Sequence, residues 1–196
     1  MDEDAVIRDI LSIPHRCYTC ERLDGIEFDY MCKIQHQIIR NDNLKANFIE
    51  KGLCNYHFWN IASLTTPETI ALMCEMLIEN NEYPSHSCSI CDYLKMKEGE
   101  FLNDFVKDIV SAFGNLSEPL EKRFCQLHFT LIMKELSGEI AEYFSSIQKF
   151  HNEQLLKELK SFVEKKNSSH ERNKNERTSW WRAVEKLVGR KGMWGK

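Results

Sequence analysis

Two short metal-ligand motifs occur twice in this chain of 196 residues, at a constant offset. Cys-x-x-Cys begins at Cys17 and again at Cys88, and Cys-x-x-His begins at Cys54 and again at Cys125. Each second copy lies 71 residues after the first, with no insertion or deletion between the motifs. The same offset relates further pairs: His15 and His86, Leu23 and Leu94, Glu27 and Glu98, Ile38 and Ile109. We interpret this self-similarity as a tandem duplication of one helical unit.

Apolar residues inside each copy recur every three or four positions, with one larger gap, which is the spacing of an amphipathic helix. The first copy carries Leu23, Ile26, Tyr30, Ile34 and Ile38, and the second Leu94, Phe101, Phe105, Ile109 and Phe113. Clusters typical of helix starts and helix ends separate these runs. Helix starts are predicted at Thr66-Pro67-Glu68 and Ser117-Glu118-Pro119. Helix ends are predicted at Asn41-Asp42-Asn43, Asn80-Asn81 and Gly114-Asn115. No segment alternates as a strand does, so the sequence predicts an all-α fold.

The C-terminal part of the chain lies outside the duplication. A stripe of apolar residues and one histidine predicts a long helix from Ser137 to about residue 166: Ile140, Phe144, Ile147, His151, Leu155, Leu159 and Phe162. Residues 166–177 contain no apolar side chain and are predicted to be a linker. Thr178 and Ser179 are predicted to cap a short amphipathic helix that carries Trp181, Val184, Leu187 and Val188 and ends at Gly189. The predicted regions are two metal-binding helical repeats (1–82 and 83–136), the long helix (137–165), the linker (166–177) and a basic Trp-rich helix with its tail (178–196).

The motifs themselves predict metal binding. Cys-x-x-Cys places two thiolates one helical turn apart, and Cys-x-x-His does the same for a thiolate and an imidazole. One motif of each kind supplies three thiolates and one imidazole, the donor set of a closed structural zinc site. The predicted ligands are Cys17, Cys20, Cys54, His57, Cys88, Cys91, Cys125 and His128. Buried thiols without metal would not explain two histidines at the same offset, and a redox dithiol is expected beside a βαβ unit, which is absent from the pattern.

The four half-sites can combine in three ways. Pairing inside each repeat or exchange between the repeats gives two sites of three Cys and one His, whereas joining like motifs gives one all-Cys site and one site of two Cys and two His. We predict pairing inside each repeat, because each duplicated unit would then fold around its own ion. The predicted sites are Cys17, Cys20, Cys54 and His57, and separately Cys88, Cys91, Cys125 and His128.

Two zinc ions per chain are the predicted cofactors, with two iron–sulfur clusters as the alternative, because three thiolates and a histidine can hold either. His15 and His86 precede each Cys pair by two residues, and we predict that they orient a ligand rather than bind the ion. Cys32 and Cys74 fall opposite Asn103 and Ser145 at the 71-residue offset and are predicted to be buried thiols outside the sites.

Charge divides the chain into an acidic body and a basic end. Residues 165–196 carry ten Lys or Arg and three Glu, so the rest of the chain, with an overall charge of −4, carries a net −11. Such an end can dock on its own body, on a protein partner, on nucleic acid or on an anionic membrane surface, and the long helix is a second candidate surface for a protein. For the tryptophans we favour docking into a groove of the parent domain or of a partner.

No nucleotide-binding, hydrolase or metalloprotease motif occurs, so a binding or scaffold module is favoured over an enzyme. The runner-up functions are an iron–sulfur electron-transfer protein and a nucleic-acid-binding protein that uses the basic end. The acidic first residues do not fit a signal peptide and no apolar stretch is long enough to span a bilayer, so we expect a cytoplasmic protein.

The motifs together resemble an uncharacterised family of bacterial and archaeal proteins, a domain of unknown function. The resemblance rests on His-x-Cys-x-x-Cys at His15, on the segment Gly52 to Trp59 that contains Cys-x-x-His, on the second copy of both, and on Ser179-Trp180-Trp181-Arg182-Ala183-Val184 followed by Gly189. It covers nearly the whole chain and implies a prokaryotic cytosolic protein, without implying an activity. The second copy departs from the pattern at Arg123, which stands where the first copy has Gly52.

Overall fold

The computed structural model describes residues 17–80, 88–113, 123–165 and 172–189. These segments form eight helices: α1 (Tyr18–Gln37), α2 (Asp42–Lys51), α3 (Asn55–Leu64), α4 (Pro67–Glu79), α5 (Ser89–Ala112), α6 (Gln126–Glu135), α7 (Gly138–Glu164) and α8 (Lys174–Val188). Within them no strand forms, and a single isolated bridge pairs Cys17 with Arg123. The predicted all-α fold is confirmed. None of the described helices combines the length and the apolar character that crossing a bilayer requires.

Local capping explains where several helices begin. The Asn41 side chain accepts a hydrogen bond from the Leu44 amide at 3.1 Å and starts α2, and the Thr66 side chain accepts one from the Thr69 amide before Pro67 opens α4. α4 ends at Glu79, directly before Asn80, as predicted. The predicted helix end at Gly114-Asn115 and start at residues 117–119 lie outside the described residues.

The chain divides into two compact units, and each unit contains parts of both sequence copies. The first unit comprises residues 1–21 and 101–191, and the second comprises residues 22–100 and 192–196. The boundaries therefore fall inside α1 and α5 rather than between the repeats.

Aromatic rings form the core of the first unit. The Phe124 ring lies 4.8 Å from that of Phe105, 5.6 Å from that of Phe144 and 6.2 Å from that of Tyr18, measured between centroids. Phe129 stacks on Phe144 at 5.4 Å. Edge-on and offset ring contacts of this kind stabilise a core beyond simple burial, and they join the start of α1 to α5, α6 and α7.

The second unit has a mainly aliphatic core. Four of its buried side chains lie at the predicted helical spacing, namely Leu23, Ile34, Ile38 and Leu94. The others include Phe48, Leu53, Ile61, Met73 and Ile90. Tyr30 stacks on Tyr93 with ring centroids 4.3 Å apart, which joins α1 to α5 within this unit.

The predicted long helix is confirmed as α7, but the start of the last helix was predicted too late. α8 begins at Lys174, because Asn173 and Glu176 form a capping box in which each side chain accepts a hydrogen bond from the other residue's amide. Glu176 also accepts hydrogen bonds from Lys165 at 2.9 Å and from Ser161 at 2.7 Å on α7. The last residues of the predicted linker are therefore helical, while residues 166–171 lie outside the described residues.

α8 packs against α6 and α7, as expected for a helix that docks on its own domain. The face that it buries is the polar one, with Glu176, Thr178, Ser179 and Arg182. The prediction had assigned the docking to the tryptophans: Trp181 is partly buried, whereas Trp180 is exposed, as are Val184, Leu187 and Val188. Polar burial is possible because these side chains form hydrogen bonds: Arg182 donates to Glu158 at 2.5 Å, and Ser179 and Thr178 donate to carbonyls of their own helix.

Candidate metal centres

The eight predicted ligands form two compact groups. Centre 1 contains Cys17, Cys20, Cys125 and His128 and lies in the first unit; centre 2 contains Cys54, His57, Cys88 and Cys91 and lies in the second unit. In each group the four ligand atoms all lie within 4.8 Å of one another. Each centre thus has three sulfurs and one imidazole that could hold a metal ion.

The pairing that we predicted from the sequence is wrong, because the half-sites are exchanged between the repeats. The Cys-x-x-Cys of each copy meets the Cys-x-x-His of the other copy. Helix lengths give the reason: α1 has 20 residues and carries the chain about 30 Å from Cys17, whereas α2 has ten residues and spans about 15 Å. Because the connections from α1 to α2 and from α2 to Cys54 are short, α2 does not bring Cys54 back to the start of α1.

Backbone hydrogen bonds hold the exchanged motifs together. The Tyr18 amide, next to Cys17, donates to the Arg123 carbonyl at 2.9 Å, and the Ser89 amide, next to Cys88, donates to the Gly52 carbonyl at 3.2 Å. These two bonds are related by the 71-residue offset. Arg123 therefore supplies the same acceptor as Gly52, although Gly52 has a positive φ of 63° that favours glycine.

Both motif types present their ligands in one way, from the start of a helix. Cys54 and Cys125 are N-cap residues with nearly identical backbone angles (φ −69° in both, ψ 163° and 167°), and neither side chain caps its own helix. Cys17 and Cys88 likewise precede α1 and α5 directly. The second ligand of every motif is the third residue of its helix. The positive end of each helix dipole therefore faces the sulfurs and favours the thiolate form.

In centre 1 the His128 Nδ1 atom lies among the three sulfurs. It is 3.2 Å from the Sγ atoms of Cys17 and Cys125 and 3.5 Å from that of Cys20. The Cys20 and Cys125 sulfurs are 4.0 Å apart. All four side chains are buried, with 8% exposure at most.

Centre 2 has the same internal geometry. The His57 Nδ1 atom is 3.1 Å from the Cys54 sulfur and 3.4 Å from the sulfurs of Cys88 and Cys91, and the Cys54 and Cys91 sulfurs are 3.9 Å apart. Cys54 and Cys91 are only partly buried. Solvent therefore reaches centre 2 more easily than centre 1.

Glu27 orients the imidazole of centre 2, a role that we did not predict from the sequence. His57 Nε2 donates to the buried Glu27 carboxylate at 3.1 Å, which leaves the Nδ1 lone pair directed at the sulfurs. The only signal for this residue was its recurrence as Glu98 at the 71-residue offset. Burial by itself lowers the pKa of His57, but Cys88 and Glu27 raise it to about 10, so this group of side chains favours positive charge.

The thiols of each group differ strongly in acidity. A hydrogen bond from Cys91 lowers the pKa of Cys88 to about 3 despite burial, whereas the same contact raises the pKa of Cys91. In centre 1 the pKa of Cys125 is lowered by hydrogen bonds from Cys17 and Cys20, and the pKa of Cys20 is raised. One thiolate per group thus forms readily, whereas the thiolates of Cys20 and Cys91 need a cation to compensate their charge.

The end of α8 covers centre 1. A Cβ atom on Gly189 would lie 3.8 Å from the sulfurs of both Cys20 and Cys125, and the φ of 78° at Gly189 favours glycine at this turn. Lys186 donates to the Phe124 carbonyl at 2.6 Å. Burial lowers the pKa of Lys186 to about 8, although the thiolates of Cys125 and Cys17 oppose the shift. A cationic side chain therefore lies beside the sulfurs of this centre.

A small cavity adjoins centre 1 and is lined in part by Cys17, Cys125, His151 and Lys186. Its volume of about 40 Å³ holds a few water molecules at most, since one water needs about 10–15 Å³ by the same measure. An organic substrate does not fit there.

The remaining predicted residues stay apart from both centres or lie outside the described residues. Cys32 and Cys74 belong to neither group, as predicted, and are partly buried rather than fully buried. His15 and His86, predicted to orient ligands, lie outside the described residues.

Comparisons of this chain with protein-family models, with curated proteins and with solved structures found no match.

Proposed function

We propose that each centre binds one zinc ion and that the protein is a metal-stabilised helical scaffold. The observation that carries this proposal is the grouping of three Cys and one His within 4.8 Å at both centres. Four protein donors complete a tetrahedral coordination sphere and leave no open position for a substrate, which is typical of structural zinc.

The distances between the donors support a single ion over an iron–sulfur cluster. A Zn–S bond of about 2.3 Å places two sulfurs of a tetrahedral site about 3.8 Å apart. The sulfur pairs that we can compare are 4.0 Å apart in centre 1 and 3.9 Å apart in centre 2. In an iron–sulfur cluster some of the four ligands bind different iron atoms, which would hold those ligand atoms farther apart than the 4.8 Å within which all four lie at each centre.

The scaffold role follows from the exchanged pairing. A metal at centre 1 would join the start of α1 to the start of α6, more than 100 positions later in the chain. Such a link constrains the unfolded chain strongly and stabilises the fold. Thiolate ligands also require a compartment that keeps thiols reduced, and this requirement supports a cytoplasmic location.

Metal analysis of purified protein tests the proposal. We expect two zinc ions per chain and no visible absorption. Serine substitution of one ligand, Cys20→Ser or Cys91→Ser, should leave one zinc ion per chain, and the matched substitutions Cys32→Ser and Cys74→Ser should leave two. A brown protein that contains iron and inorganic sulfide after anaerobic purification would overturn zinc as the cofactor. Loss of zinc from the Cys32→Ser protein would contradict the ligand assignment.

A further inference from the structure

α8 has its polar face buried and its apolar face exposed. The inner face, described above, forms hydrogen bonds with α7 and with its own backbone. The outward stripe contains Trp180, Val184, Leu187 and Val188. At about 100° per residue these four side chains occupy roughly a quarter to a third of the helix circumference. Leu187 and Val188 are each 69% exposed.

Single exposed apolar side chains are common, but a continuous stripe opposite a satisfied polar face marks an interaction surface. The inner face of α8 already has its partners: Arg182 contacts Glu158, and Glu176 contacts Lys165 and Ser161. Docking on the first unit therefore does not need the apolar stripe. The stripe remains available for a different partner.

The charge of the surrounding sequence indicates which partner fits. After α8 the sequence contains three basic residues and no acidic one: Arg190, Lys191 and Lys196. A second copy docked stripe to stripe would bring two such basic segments together, and they would repel each other. An anionic surface instead attracts the basic residues while the stripe enters an apolar phase.

We propose that the outward stripe of α8 docks on an anionic lipid surface. The helix lies parallel to the membrane plane, with Trp180 at the level of the headgroups and with Leu187 and Val188 in the acyl boundary. This binding is peripheral and reversible, since one short helix buries a limited apolar area. It is separate from the zinc binding proposed above.

Co-sedimentation of the full-length, zinc-loaded protein with vesicles tests this inference. We expect binding to phosphatidylcholine vesicles that contain about 30% phosphatidylserine and much weaker binding to pure phosphatidylcholine vesicles. Raising the salt from about 0.1 M to about 0.5 M should weaken the binding, because the Debye length shortens. The double substitution Leu187→Glu with Val188→Glu should reduce binding to the anionic vesicles about tenfold or more.

The matched control is Val163→Glu, a substitution at a residue of α7 that is 66% exposed, and it should bind vesicles like the wild type. All variants should retain two zinc ions and the wild-type melting temperature, which separates lipid binding from folding. No binding of the wild type to anionic vesicles, or undiminished binding of the double variant, would overturn the inference. If the protein formed a dimer that only the double substitution dissociated, the stripe would instead contact a second copy of the chain. If RNA retained the protein at low salt in preference to vesicles, the stripe would instead contact RNA. Either result would overturn the inference of lipid binding.

Discussion

The two centres share one donor set and one local geometry, yet they differ in what surrounds them. Centre 1 is covered by the end of α8, and its Cys125 is 1% exposed. Centre 2 has two partly exposed cysteines, Cys54 and Cys91. The difference in exposure arises because α8, which covers centre 1, lies in the C-terminal part of the chain, outside the motifs that recur at the 71-residue offset.

The ability to bind a metal and the ease of exchanging that metal therefore depend on different features of the two centres. The three-residue spacing at a helix start supplies the ligands in both centres. Exposure to solvent, by contrast, depends on which other helix packs over the sulfurs. We therefore expect centre 1 to be the more stable site and centre 2 the more labile one.

The largest expected effect comes from removing one ligand at equivalent positions. Cys125→Ser and Cys54→Ser replace residues that the 71-residue offset relates. Loss of the ion at centre 1 should lower the free energy of unfolding by about 3 kcal/mol or more, because buried sulfurs and an imidazole lose their partner. Cys54→Ser should cost less, since water can reach the ligands that remain. Urea unfolding measures the loss of stability in each variant, and metal analysis measures the zinc that each variant retains. Equal losses of stability would show that solvent exposure does not distinguish the centres.

The next effect concerns Glu27, the carboxylate that accepts a hydrogen bond from the histidine of centre 2. Glu27→Gln keeps the size and the acceptor for His57 but removes the charge that raises imidazole basicity. We expect the zinc affinity of one site per chain to fall by about tenfold, the lower end of the range for such partners. Competition with a chromophoric chelator measures the two sites separately. Asp29→Asn, a substitution of an exposed acid on the same helix, is the control; a fall at both sites in the Glu27 variant would contradict the local role.

Chelation kinetics should resolve the two centres in the unmodified protein. An excess of chelator should remove one ion several-fold faster than the other, because the partly exposed sulfurs of Cys54 and Cys91 are the easier to attack or protonate. The fast phase should be absent from Cys91→Ser, and the slow phase should be absent from Cys20→Ser. A single phase that releases both ions would mean that the centres open together.

The smallest effect comes from the anchor of α8, far along the helix from the sulfurs. Lys165, Ser161 and the capping box lower the pKa of Glu176 to about 2, below its ordinary 4.5. Its ionised form therefore stabilises the folded chain above about pH 4.5, and this contribution declines as the pH falls toward 2. Near pH 7 the Glu176→Gln variant should have a slightly lower free energy of unfolding than the wild type. Unfolding monitored by tryptophan fluorescence measures this difference. The difference should shrink below pH 4.5; a difference that grows in acid would refute this assignment.

Much of the fold could be predicted because its signals are local. The starts of α2 and α4 follow from capping by Asn41 and Thr66, and the long helix α7 follows from its apolar period. The sequence signal for the start of α8 was equally local, because Asn173 and Glu176 have the spacing of a capping box. The lack of apolar residues in this segment nevertheless led us to predict a linker there. Helix starts are encoded within four residues, so they can be found without tertiary information.

The pairing of the half-sites could not be settled by donor chemistry, because two of the three arrangements give the same set of ligands. Helix length contains the missing information: a helix as long as α1 moves the chain too far from Cys17 for the short α2 to return it. Similarly, α8 was expected to dock through its tryptophans. Glu158, Ser161 and Lys165 on α7 instead offer polar partners, which allow the opposite face to be buried.

The sequence by itself determined that the chain is helical and that eight cysteine and histidine side chains stand at helix starts, because these properties depend on residues three or four positions apart. Only the tertiary structure decided which half-sites meet, which centre is covered and which face of α8 is exposed. Those outcomes depend on contacts between residues far apart in the chain, where helix length and the competition between polar and apolar packing determine the result.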